Sequence, residues 1–145
     1  VNQGVAVLDD DIDKLRKALA AEHAAVFAYG LLGARTSGSL RERVRAAYDA
    51  HRTRRDQLRT LILGRGGEPA EAAGSYALPF VPSTAAQAVK LAVQLETGVT
   101  AAYLELVSAR DVKVRQYAAQ AMQEAVARSY AFKPGLTGAF PGMPA

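Results

Sequence analysis

Apolar side chains return at alternating three- and four-residue intervals in four stretches of this chain, the period of an amphipathic α-helix. The first predicted helix runs from about Asp9 to Gly33 with the stripe Ile12, Leu15, Leu19, Glu22, Val26, Tyr29. The second follows the turn Thr36-Ser37-Gly38-Ser39, reaches about Gly64, and carries Leu40, Val44, Tyr48, His51, Arg55, Leu58, Ile62. The third, capped by Ser83 or Thr84 and ending near Arg110, carries Val89, Ala92, Glu96, Val99, Tyr103, Leu106. The fourth opens at Asp111 with Val114, Tyr117, Ala121, Glu124 and Arg128 on its expected face. Asp9, Asp10, Asp11 and Asp13 are expected to cap the start of the first helix and to suit its dipole.

Four ionisable residues break these stripes: Glu22, His51, Glu96 and Glu124, one per helix. A charged group stays buried only when it is paired or binds metal, so a shared polar layer is expected. Counting from the turns, Glu22 and His51 each lie eleven residues from the first turn, roughly 16 Å along the axis at 1.5 Å per residue. Glu96 and Glu124 are level in the same way, thirteen residues from Ala109 and Asp111. Arg55 and Arg128 lie one turn away on the same faces, and Tyr29, Tyr48 and Tyr103 are the aromatic neighbours. Three glutamates and two arginines sum to about −1.

Connection lengths give the topology. Short links join helices 1–2 and 3–4, so each pair is read as an antiparallel hairpin. The nineteen residues from 65 to 83, rich in Gly and Pro, form a long crossover. Its Tyr76, Leu78, Phe80 and Val81 are too apolar to lie free in water and either cover the bundle or contact a second subunit. An irregular tail is expected from about 134 to 145, with Leu136, Phe140 and Met143 available for packing. The hairpins read as a degenerate duplication: Glu22 and Tyr29 mirror Glu96 and Tyr103, while His51 and Arg55 mirror Glu124 and Arg128.

The 145 residues suit one domain. The absence of Cys excludes disulfides, thiolate metal sites and Cys nucleophiles. No apolar run spans a bilayer, and the N-terminal segment lacks a signal-peptide pattern. A cytoplasmic protein without membrane contact is therefore expected, self-associating as a homodimer. Ser and Thr have no His–carboxylate partner in reach, so a hydrolytic triad is unsupported. Gly64-Arg65-Gly66-Gly67 lacks the Lys-Ser/Thr of a phosphate loop. Eight arginines fall between residues 39 and 65, and Arg45, Arg52 and Arg59 form a heptad-spaced ridge. An anion or nucleic acid could use that ridge; the plainer reading is a solvated face whose charges pair with Asp49 and Asp56, each four residues after an arginine.

The segments AAEHAAVFAYG, AHRTRRDQL, SYALPF and AFPG resemble the ferritin-like superfamily and, within it, an actinobacterial ferritin-like family of unknown function. The likeness runs from about Asp9 to Gly142 and implies an all-α ferritin-like four-helix bundle. It also implies a place for iron or manganese, where the complete ligand set is a Glu from two helices and Glu-x-x-His from the other two. Glu22 and Glu96 match the single glutamates, and His51 matches a histidine whose glutamate position is Tyr48. Glu124 matches the last glutamate with Ala127 at its histidine position, or the histidine position with Ala121 at the glutamate. Two of six ligands are lacking either way, and His23 points off the stripe by about 100°. Three readings follow: a non-catalytic binding or interaction module with no cofactor and a partner of undefined class, a metal-dependent oxidase or iron-handling protein, and an anion or nucleic-acid binder through the arginine ridge.

Overall fold

Helix-favouring, Ala-rich sequence and the periodicity above give four helices and no strand among the described residues. The computed structural model describes residues 2–134, with side chains from residue 10 onward; the tail expected from 134, with Leu136, Phe140 and Met143, lies outside them apart from Pro134. The helices are α1 (Asn2–Arg35), α2 (Gly38–Gly64), α3 (Ala85–Leu106) and α4 (Val112–Phe132). No described helix is long and apolar enough to cross a membrane.

The helix ends follow local chemistry. Thr84 caps α3 by accepting from Gln87 N at 3.1 Å, and the Gln87 side chain returns a bond to Ser83 N at 2.8 Å. Asp111 caps α4, accepting from Lys113 N and Val114 N at 2.7 and 3.2 Å; these amides hold its carboxyl below the usual aspartate range. At the end of α2, Gly66 takes φ +79°, and a β-carbon on Gly67 would come within 2.9 Å of Ile12. Glycine is therefore what lets the crossover leave α2 against α1.

The start of α1 departs from the sequence expectation. It begins at Asn2, so Asp10 to Asp13 lie inside the helix. Asp10 pairs with Lys14 at 3.2 Å. Asp11, 2% exposed, accepts from the amides of Arg110 and Asp111 at 2.8 and 3.0 Å. An aspartate expected to cap its own helix instead binds the link that leads into α4.

α1 and α3 form the centre, with Leu15, Leu19, Leu32, Leu91 and Leu106 fully buried and small Ala18 and Ala92 among them. α2 packs on α1 and α4 on α3, while α2 and α4 touch only sparsely. The crossover covers the bundle: Leu78 and Phe80 pack on the core, and Tyr76 meets Phe27 with ring centres 5.5 Å apart. Polar contacts fasten it as well, from Arg16 Nε to Glu68 O and from His23 Nε2 to Ala70 O, both 2.9 Å. Val81 stays 58% exposed.

Candidate functional site

Three of the four stripe-breaking residues meet in the middle of the core. Glu22 of α1, His51 of α2 and Glu96 of α3 are each 0% exposed. The imidazole stands between the two carboxylates. Its Nδ1 lies 2.5 Å from Glu22 Oε2, and its Nε2 lies 2.9 and 3.0 Å from the two oxygens of Glu96. Arg128 of α4 donates from Nε to Glu96 Oε1 at 2.5 Å, and the Tyr103 hydroxyl donates to Glu22 Oε1 at 2.6 Å. Tyr29 stacks on the imidazole at 5.3 Å, and Phe132 stacks on Tyr29 at 5.9 Å.

These contacts fix the protonation. An ionised carboxylate only accepts hydrogen bonds, so a nitrogen facing each one must carry a proton, and a doubly protonated imidazole is a cation. Burial alone would lower the His51 pKa; the hydrogen bonds it donates to both glutamates, together with their negative charge, outweigh it and raise the value to about 9. The Tyr29 and Tyr103 hydroxyls are pushed well above the usual tyrosine value, first by burial and then by the neighbouring carboxylates. Both remain protonated. Two carboxylates, one imidazolium and one guanidinium then sum to zero, in place of the −1 expected with Glu124 and Arg55 included.

Glu124 and Arg55 do not join this layer. Glu124, 43% exposed at its side chain, binds Arg54 through Nη2 at 2.6 Å and Nε at 3.2 Å. Arg55 turns outward to Asp56 at 2.9 Å. The buried face of α2 is Val44, Ala47, His51, Arg54, Leu58, Ile62, and that of α4 is Val114, Ala118, Ala121, Ala125, Ser129, Phe132. Relative to the expected stripes, each face is rotated by one residue over part of its length. Small Ala47, Ala118 and Ala125 permit close helix approach, which outweighs the larger apolar area of Tyr48 and Tyr117. Tyr48 is half-buried away from the cluster, beneath the Arg52 guanidinium at 5.4 Å.

Arg54 is the residue that the stripe reading missed. It is 8% exposed, and its guanidinium lies 4.9 Å from the centre of the Tyr117 ring. Desolvation opposes its charge, but the Glu124 carboxylate and Tyr117 more than compensate and raise its pKa. One signal could have found it. A constant separation of 74 residues relates Ala18 to Ala92, Glu22 to Glu96, Tyr29 to Tyr103, Val44 to Ala118 and Arg54 to Arg128. At that spacing His51 corresponds to Ala125, so one imidazole occupies the centre of a twofold pattern.

The arginine ridge is partly engaged. Arg45 and Arg52 are exposed, whereas Arg59 reaches Glu71 at 3.4 Å. The pairing expected between Arg52 and Asp56 is replaced by Arg55 and Asp56.

Could the central residues hold a metal as arranged? Imidazole coordinates through a bare nitrogen, and both His51 nitrogens face carboxylates. All four carboxylate oxygens already accept hydrogen bonds. Among the described residues no group of three or more His, Cys, Asp or Glu has a geometry that could hold an ion. The present arrangement does not fit a metal centre.

Comparison with known proteins adds a family and a fold. Residues 14–145 match the family described as a domain of unknown function, DUF4439. A crystal structure of a conserved hypothetical protein, Rv2844, from Mycobacterium tuberculosis is similar, with a TM-score of 0.82 and 32% identity over 86% of this chain and 95% of that one. No curated protein matches.

Proposed function

The chain belongs to the DUF4439 family, and from that premise we propose that it is a non-catalytic binding or interaction module on a ferritin-like scaffold. In this reading α1–α2 and α3–α4 are antiparallel hairpins joined by the crossover, and the layer that could have held metal is a closed ion network. Support for the hairpins comes from Ile12, early in α1, lying beside Gly67 just past the end of α2. Glu22 and His51, level with each other across the turn, also meet.

The single observation that carries the functional reading is the saturation of the cluster. His51 uses both nitrogens, Glu22 and Glu96 use all four oxygens, and the four charges cancel. His51 has no bare nitrogen left for coordination or proton abstraction, and no charge in the cluster is left unbalanced. Removing one member of a buried ion network exposes the remainder to the full cost of desolvation, so such a network holds its helices in one register. A metal-dependent oxidase or iron-handling role would need His51 to release at least one carboxylate, and Glu124 to leave Arg54.

Elemental analysis of protein purified without chelator tests this reading. The expected content of iron, manganese and zinc is far below one ion per chain. About one ion or more per chain, lost in His51→Ala, overturns it in favour of the metal-dependent alternative. A homodimer belongs to the same reading, supported by exposed Leu63, Leu104 and Val112 near the bundle end where Arg65 pairs with Asp111; sedimentation equilibrium checks it.

A further inference from the structure

Where the end of α4 lies beside the start of α2, a hollow of about 240 Å³ opens between the two helices. This end of the bundle is basic. From Arg35 to Arg52 the chain carries five arginines against Glu42 and Asp49, and no acidic residue occurs after Glu124. Such a surface draws anions toward it before any contact is made.

Two guanidiniums stand in the hollow. Arg43 Nη1 donates to Ala131 O at 2.8 Å, and its guanidinium carbon lies 5.9 Å from the centre of the Phe132 ring. That exposed side chain is thereby pinned at the hollow's edge. Arg128 donates from Nε to Glu96 and keeps both Nη groups. Among the described residues no other acceptor takes a bond from either arginine, and no Asp or Glu lines the hollow. The charge of Arg128 is balanced inside the buried cluster. Arg43 pairs with no carboxylate among the described residues, so the hollow carries one unmatched positive charge.

The rest of the lining is apolar: Ala46, Ala47, Ala50, Ala131 and Phe132. A guanidinium takes a carboxylate through two parallel N–H bonds, and the alanine and phenylalanine walls favour carbon beside it. One unmatched charge suits a monoanion. The volume lies below that of drug-sized sites, so the ligand is small. We propose that this hollow, with Arg43 and Arg128 set among apolar walls, binds a small organic carboxylate. The assignment rests on reading the chain as a binding module and supplies its ligand class.

The test is titration of ¹⁵N-labelled protein with benzoate and butyrate, following the Arg128 Nε–H and the backbone amides of Ala47 and Ala131. Benzamide is the neutral control, and inorganic phosphate the anion without an apolar body. At least one carboxylate should shift all three signals saturably, with a Kd on the order of 1 mM or below. Arg43→Gln should weaken that binding about tenfold. Ala46→Leu, at an exposed position of the wall, should block the hollow with both guanidiniums in place, and it serves alone if the first variant does not fold. Saturable shifts from neither carboxylate overturn the proposal. So does benzamide or phosphate binding as tightly as the carboxylates, or carboxylate binding that both variants leave unchanged. Absent carboxylate binding in metal-free protein refutes the ligand class alone, whereas stoichiometric metal refutes the binding-module reading itself.

Discussion

Raising pH above neutrality should destabilise this protein through His51. The folded pKa of about 9 exceeds the ordinary histidine value of 6.5 because Glu22 and Glu96 accept from its two nitrogens. Between those values the folded chain holds a proton that the unfolded chain has released. The stabilisation is therefore fully present below about pH 6.5 and is lost as pH rises through about 9. Each pH unit in that interval removes about 1.4 kcal/mol, which gives about 3 kcal/mol in all. That is a large fraction of the 5–15 kcal/mol by which domains of this kind are stable, as an order of magnitude, and lowers Tm by on the order of 10 °C. Urea unfolding followed by circular dichroism, from about pH 6 to about pH 9.5, measures it. Tyr29 and Tyr103 act in the same direction only where unfolded tyrosine ionises, near pH 10 and above, and the lowered Asp111 acts in acid. His51→Gln should flatten the slope relative to the parent. A parent stability that stays level or rises across the interval would refute the imidazolium assignment.

Two further outcomes follow from the same contacts. Glu96→Gln removes an anion shared by His51 and Arg128 and should cost about 3–5 kcal/mol in urea unfolding; a loss under about 1 kcal/mol would mean that the cluster is not tightly coupled. Asp11→Ala strips the acceptor from two backbone amides and should cost about 1–3 kcal/mol, with hydrogen exchange at Arg110 and Asp111 accelerating before exchange within α4.

The centre of the site was legible because charge on an apolar stripe is anomalous at any rotation of the helix. Glu22, His51 and Glu96 stand where Leu or Val would otherwise serve, and Tyr29, Tyr103 and Arg128 fall beside them by helical spacing. The four helices and the long crossover were legible for the same reason, together with their caps at Thr84 and Asp111. The periphery was not. In α2 the choice between Ala47 and Tyr48, and so between Arg54 and Arg55, is a rotation of about 100°. Side-chain size favours the tyrosine, while close helix packing favours the alanine. In α4 the Ala-rich sequence offers several faces of equal hydropathy, which placed Glu124 inside when it lies beside Arg54. Asp11 escaped because its partners are about a hundred residues away, and an acidic run reads locally as a helix start.

The ¹⁵N shifts of the His51 ring at about pH 7.5 test the central claim most directly. A charge-closed cluster predicts that Nδ1 and Nε2 both carry hydrogen, each coupled to a proton shifted far downfield by its carboxylate. A bare nitrogen at that pH would mean a neutral imidazole with a lone pair free for a metal or a substrate, and would contradict the account.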